Sequence, residues 1–159
     1  MGLKQISVFL ENTTGRLGEV TKTLARAGIN LRAINIADTA DFGILRIIVD
    51  KTEEAADVLN AAGFTIKMTT VAAVEIEDKP GSLDALIEMI QKSGINIEYL
   101  YAFLGSSASF GGDASSGGDA SSCGVSKEIC KAVVVFKLDD HEKGFSLLEK
   151  SGFVLAERL

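Results

Sequence analysis

From Gln5 to Leu10 apolar and polar residues alternate, with Ile6, Val8 and Leu10 on one face, the period of a half-buried strand. Thr13-Thr14-Gly15 breaks the pattern. From Arg16 to Ala27 the period becomes helical, and Leu17, Val20 and Leu24 form a stripe expected to face a sheet. Gly28 ends this helix, as glycine commonly does at a C-terminus. Ile29 to Ala37 is rich in β-branched residues and predicts a second strand. Asp38-Thr39-Ala40-Asp41 predicts a turn, and Phe42 to Val49 a third strand. Lys51 to Ala62 predicts a second helix with Ala55, Val58, Leu59 and Ala62 on one side. Gly63 closes it, and Phe64 to Thr70 makes a fourth strand. The order βαββαβ fits a four-stranded antiparallel sheet with both helices on one face.

The same order then recurs. Val71 to Ile76 predicts a strand, Ser82 to Ser93 a helix with Leu83, Leu86, Ile87 and Ile90 inward, and Ile95 to Phe103 a strand. Lys131 to Leu138 predicts a third strand, His141 to Lys150 a helix with Leu147 and Leu148 inward, and a last strand starts at Phe153. The repeat is also visible residue by residue. Glu11-Asn12-Thr13-Thr14-Gly15-Arg16-Leu17 leads, after ten residues, into Gly28-Ile29-Asn30-Leu31. Glu77-Asp78-Lys79-Pro80-Gly81-Ser82-Leu83 leads, after the same ten, into Gly94-Ile95-Asn96-Ile97, 66 positions later. A repeat of this kind means two copies of one small domain, expected at 1–70 and 71–159. Past the second strand the offset grows to 89, as Asp50 matches Asp139 and Gly63-Phe64 matches Gly152-Phe153, so 23 extra residues entered the second copy. They lie within an insertion at about 104–127, where Gly111-Gly112-Asp113-Ala114-Ser115-Ser116 is repeated at once as Gly117 to Ser122. Such composition buries too little apolar surface to order itself, and a mobile loop is expected.

Composition narrows the function classes. With 47% hydrophobic and 24% charged residues the balance is that of an ordinary soluble protein. A net charge of −6 and the lack of any Lys/Arg run argue against a nucleic-acid backbone as partner. The N-terminus lacks a basic stretch followed by an apolar one, and no apolar run approaches a membrane span, so a cytoplasmic location is expected. The two cysteines, Cys123 and Cys130, are read as free thiols in a reducing compartment. One histidine, His141, leaves little material for a metal site, and no cofactor is expected. No nucleophile–histidine–acid set can form except around His141, away from both repeated turns, so no catalytic residue is assigned.

The repeated turn offers different chemistry. It places backbone N–H groups at a helix start, whose partial positive charge attracts a carboxylate. Asn12 or Asp78 offers a side-chain oxygen to an ammonium group, and Asn30 or Asn96, opening what reads as the adjacent strand, supplies another amide. Gly15 and Gly81 let a ligand approach the backbone closely. These groups address the two charged ends of an α-amino acid. A purely structural role stands beside this one: Asn12, Thr13, Thr14 and Asp78 are also common turn and capping residues.

Asn12-x-x-Gly15-x-Leu17 with Gly28-Ile29-Asn30-Leu31, and Asp78-x-Pro80-Gly81-x-Leu83 with Gly94-Ile95-Asn96-Ile97, resemble the signature of ACT domains. Those are small βαββαβ regulatory modules that bind amino acids. The resemblance covers both copies apart from the insertion, and the chain is similar to stand-alone tandem ACT proteins without a catalytic domain. It implies an α+β protein of two ferredoxin-like domains, acting as an amino-acid-binding regulator rather than an enzyme. It implies side-by-side pairing of sheets, a homodimer, and an amino-acid ligand held where one domain's strand–helix turn meets a neighbouring domain. A partner enzyme of amino-acid metabolism is the further implication, and ligand-independent regulation of such an enzyme is the alternative. The implied ligand-binding residues are Asn12, Gly15, Leu17 and Asn30 in the first copy, and Asp78, Pro80, Gly81, Leu83 and Asn96 in the second. The first copy departs from the family in having Thr14 where the second has Pro80. Many serine-sensing members carry a histidine before the turn amide, where this chain has Glu11 or Glu77, which speaks against a serine-type ligand.

Overall fold

A computed structural model describes residues 2–38, 42–105 and 131–155. The chain divides into two compact units, one spanning Gly2–Val71 and the other starting at Ala72. The first unit contains β1 (Leu3–Glu11), α1 (Arg16–Arg26), β2 (Leu31–Asp38), β3 (Phe42–Val49), α2 (Thr52–Ala61) and the first half of β4 (Thr65–Glu77). Its strands run in the antiparallel order β2-β3-β1-β4. The second unit takes the other half of β4, then α3 (Ser82–Lys92), β5 (Ile97–Gly105), β6 (Lys131–Leu138), α4 (His141–Lys150) and β7 (Val154–Leu155). β6 pairs with both β4 and β5, and β7 lies on the far side of β4, which repeats the first order as β5-β6-β4-β7.

Each sheet packs its helices on one face. In the first unit Ile6, Val8 and Leu10 of β1 and Leu45 and Ile47 of β3 meet Val20 and Leu24 of α1 and Ala55 and Leu59 of α2 in one buried cluster. In the second, Ala72, Val74 and Ile76 of β4 and Val134, Phe136 and Leu138 of β6 meet Leu86 and Ile90 of α3 and Leu148 of α4. Burying one such side chain is worth about 1.5–3 kcal/mol, so these two faces dominate the stability of each unit. The architecture is the α+β, ferredoxin-like pair expected from the two periodicities.

Two differences from the sequence reading are informative. The strands expected at Phe64 to Thr70 and Val71 to Ile76 are one uninterrupted strand, β4. No Gly, Pro, Asn or Asp stands between the two runs to turn the chain, and Thr69, Thr70 and Val71 favour extended backbone. Leu17, expected in the inward stripe of α1, is 41% exposed, because it belongs to the first turn, ahead of the buried Val20 and Leu24. Its counterpart Leu83 and the next-turn Ile87 are half-buried, with Leu83 packed against the second core. The turn at Asp38–Asp41 beyond its first residue, nearly all of the insertion with Phe110 and both cysteines, and the end of the last strand lie outside the described residues.

Candidate functional site

The two strand–helix turns match bond for bond. After β1 the Glu11 carbonyl accepts from the Thr13 N–H at 2.8 Å, the Thr13 carbonyl from Arg16 at 3.4 Å, and the Gly15 carbonyl from Glu19 at 3.0 Å. In the second unit, Glu77 accepts from Lys79 at 2.9 Å, Lys79 from Ser82 at 3.2 Å, and Gly81 from Ala85 at 3.0 Å. Gly15 and Gly81 are the N-caps and hold φ of 98° and 89°, the left-handed region where a side chain is strained. Nothing lies within 4 Å of where a Cβ would stand on either. Conformation rather than crowding therefore dictates the glycines among the described residues.

Neither helix start receives a side-chain cap. Thr13, Thr14 and Asp78, all exposed, make no side-chain hydrogen bond to these helix starts among the described residues. The reason is geometric: with glycine in the left-handed N-cap position, the residues that might cap are set one to three places too early. Among the described residues no protein acceptor reaches the N–H groups of Leu17 and Gly18, or of Leu83 and Asp84, the groups a helix start leaves unpaired. Such a start binds an anion through these donors and the aligned peptide dipoles. Cations sit nearby. The Arg16 guanidinium lies 5.1 Å over the ring of Phe64 and pairs with Glu19 at 2.5 Å, while Lys79 pairs with Glu77. Pro80 and Gly81 are exposed, and Asp78 makes no hydrogen bond or ion pair among the described residues.

Asn30 and Asn96 are elsewhere. β2 is not the neighbour of β1, because β3 lies between them. Glu11, which leads into the turn, pairs with Phe42 at the start of β3, whereas Leu31 pairs with Val49 at its end. The entry to β2 is thus at the opposite end of the sheet from the turn. α1, with 11 residues at about 1.5 Å each, separates them by about 16 Å. The second unit repeats this: Glu77 pairs with Lys131 at one end, and Ile97 with Leu138 at the other. Within a unit, Asn12 and Asn30, or Asp78 and Asn96, do not converge. The sequence reading that placed Asn30 and Asn96 beside the turn is corrected by strand order, which local periodicity does not encode.

At the strand entries the structure shows a contact that motif reading missed. The Asn30 N–H donates to Asp50 Oδ1 at 3.0 Å, and the Asp50 N–H donates back to the Asn30 carbonyl at 3.2 Å. Asn96 and Asp139 repeat it at 3.0 and 3.1 Å. The available signal was the match of Asp50 with Asp139 across the repeat. Both asparagines are exposed, and their side-chain amides make no hydrogen bond among the described residues.

Two ferredoxin-like units, each with an uncapped, glycine-primed helix start and an asparagine at the far strand entry, define a paired small-domain protein of the regulatory, ligand-binding kind. The ACT domain pair family model matches residues 1–110, and the chain belongs to that family. It is similar to a crystallographically known protein of Bacteroides thetaiotaomicron, at 33% identity and TM-score 0.79, covering 98% of this chain and 92% of that one. The fold is also shared with the regulatory subunit of aspartate kinase from Thermus thermophilus, at 16% identity and TM-score 0.62 over 94% of this chain and 90% of that one. The corresponding subunit from Thermus flavus gives 16% and 0.59 over the same shares. No curated protein sequence matches the chain. No helix among the described residues is long and apolar enough to cross a membrane.

Proposed function

We propose that this chain is a non-catalytic regulator that binds an amino acid where the strand–helix turn of one ACT domain meets the strand entry of another. The observation that carries the reading is the opposite-end placement of the two recognition elements in each unit, together with the unpaired donors at each helix start. A ligand touching both elements needs two domains, so binding and domain pairing are thermodynamically linked. The ligand carboxylate would lie on the Leu17 and Gly18 amides, or those of Leu83 and Asp84, beside Gly15 or Gly81. Its ammonium group would meet the Asn12 or Asp78 side chain, with Leu17 or Leu83 against its aliphatic part and Asn30 or Asn96 contributed by the neighbouring domain.

A homodimer fits this reading. β2 is a sheet edge in the first unit, and Ile34 and Ile36 on it are 51% and 53% exposed, which pairing with a second copy would cover. The responding partner would be an enzyme of amino-acid metabolism, by analogy with the aspartate kinase regulatory subunits that share the fold. Of the two turns the second is the stronger candidate. The Asp78 carboxylate makes a charge-assisted bond to an ammonium, and Pro80 pre-sets the turn.

Calorimetric titration with each of the twenty amino acids tests the reading, and binding of at least one is expected. Silence from all twenty, in monomer and dimer alike, sinks it in favour of ligand-independent regulation. The preference for the second turn is tested by the same titration on two variants. Asp78→Ala should lose most of the affinity and Asn12→Ala little; the reverse order would overturn it.

A further inference from the structure

Asp50 and Asp139 have no task in the ligand contacts set out above, yet both units build the same clasp around them. Each forms two hydrogen bonds to the backbone of the strand-entry asparagine, one through its carboxylate and one through its own N–H. The partners are separated by 20 residues in the first unit and 43 in the second, and the clasp closes with the same carboxylate distance of 3.0 Å. Expansion of the second copy has left it untouched.

The location explains what a clasp contributes. Asn30 and Asn96 precede the first ladder pairs, Leu31 with Val49 and Ile97 with Leu138. Immediately beyond, both strands break register, between Leu31 and Ala33 and between Ile97 and Tyr99. A residue outside the ladder and next to a bulge has backbone freedom that neither neighbour removes. A carboxylate accepting from its N–H is the stronger kind of hydrogen bond, and the returning N–H fixes its carbonyl as well. The clasp uses only main-chain atoms of the asparagine. Its amide remains exposed and without a hydrogen bond among the described residues, available to something outside the unit.

We propose that Asp50 and Asp139 are positioning residues for amino-acid binding, clamping Asn30 and Asn96 so that their side-chain amides meet a ligand carried on a neighbouring domain's turn. This rests on the amino-acid-binding reading. Without the clamp, the backbone of the asparagine must be ordered when the ligand arrives, and fixing a partly freed backbone weakens binding about three- to tenfold.

The test uses the full chain and calorimetric titration with each of the twenty amino acids, for wild type and for Asp139→Ala, Asp139→Glu and Asp139→Asn, with the same three changes at Asp50. Circular dichroism checks folding, and amide hydrogen exchange reads the Asn30 and Asn96 N–H groups directly. The alanine and glutamate variants should expose the asparagine N–H to faster exchange and bind about three- to tenfold more weakly. Glutamate keeps the charge but shifts the oxygen by a methylene, so this arm does not depend on alanine folding. The asparagine variants retain the acceptor and should bind within about twofold of wild type. Wild-type affinity in Asp139→Glu and Asp50→Glu despite faster exchange would overturn positioning. Loss of binding in the Asp→Asn variants would overturn it too, by assigning the carboxylates a direct charge contact. Failure of the wild type to bind any amino acid shows up before a variant is made, and defeats the functional reading itself.

Discussion

The start of α2 in the first unit and the start of α4 in the second occupy the same place in the fold but are built differently. Lys51 precedes α2 with no side-chain cap, whereas Asp140 caps α4 by accepting from the Lys143 N–H at 3.0 Å. The Asp139 carboxylate also accepts from the Asp140 N–H at 2.7 Å, and Lys143 Nζ donates to the Ser93 carbonyl at 2.8 Å, tying the start of α4 to the end of α3. The core beneath differs as well. Val49 and Ala55 are buried in the first unit, and Leu138 and Gly144 stand at the matching positions of the second. Bulk has moved from helix to strand: a Cβ on Gly144 would come within 2.3 Å of Leu138 Cδ1. One backbone plan thus tolerates different local solutions, provided that volume and hydrogen bonding are kept. The asparagine clasp is the part that did not diverge.

The largest expected effect comes from breaking the volume exchange. Gly144→Ala improves helix propensity by about 1 kcal/mol, but overpacking against the buried Leu138 costs up to about 3, for a net loss near 2 kcal/mol. Chemical denaturation should show the loss, and adding Leu138→Val should recover most of it. A stable single variant would mean that the side chains in this core have more room than their positions imply.

A smaller effect is expected at the helix starts. Asp140→Ala removes the α4 cap and should cost about 1 kcal/mol, while Lys51→Ala, with no cap to lose, should change stability by less than about 0.5 kcal/mol. Equal losses in thermal unfolding would erase the contrast between the two junctions.

The smallest effect concerns the exposed pair Lys4–Glu53, whose matching positions in the second unit are Thr70 and Glu142. The hydrogen bond from Lys4, then a backbone hydrogen bond and the nearby ammonium charge, hold the Glu53 carboxyl below the usual glutamate range. A depressed folded-state pKa adds stability that is present above the unfolded-state pKa and lost as pH falls through the folded value. Lys4→Ala should therefore be slightly less stable than wild type at neutral pH, with the gap closing in acid, as unfolding followed from pH 7 to 3 would show. A gap unchanged down to pH 3 would disprove the coupling. Exposure and screening keep it small.

Much of this molecule was legible along the chain. The periods of β1, α1 and α3 located those elements to within a residue or two, since one buried face imposes a strict spacing. The boundary expected between Thr70 and Val71, by contrast, falls inside the unbroken β4. Gly15 and Gly81 stood out because only a glycine-tolerant turn needs them in both copies. Strand order was not legible. The alternation of Ile6, Val8 and Leu10 says which face is buried and nothing about which strand lies alongside, and so Asn30 was placed beside Asn12 when the sheet sets them at opposite ends. Leu17 looked inward for a related reason: helical spacing extends a stripe beyond the point where the sheet stops covering it. The Asn30–Asp50 and Asn96–Asp139 bonds join residues at separations with no period at all.

The opposite-end placement of turn and strand entry has a genetic corollary under the proposed pairing. A site assembled from one domain's turn and another's entry draws its halves from different polypeptides wherever the two domains belong to different chains. A lesion in the turn, such as a change at Asp78, and a lesion in the entry, such as one at Asn96, would then complement. A mixed dimer of the two mutant chains keeps one intact site and concentrates both defects in the other. Either mutant paired with itself has no intact site built from Asp78 and Asn96.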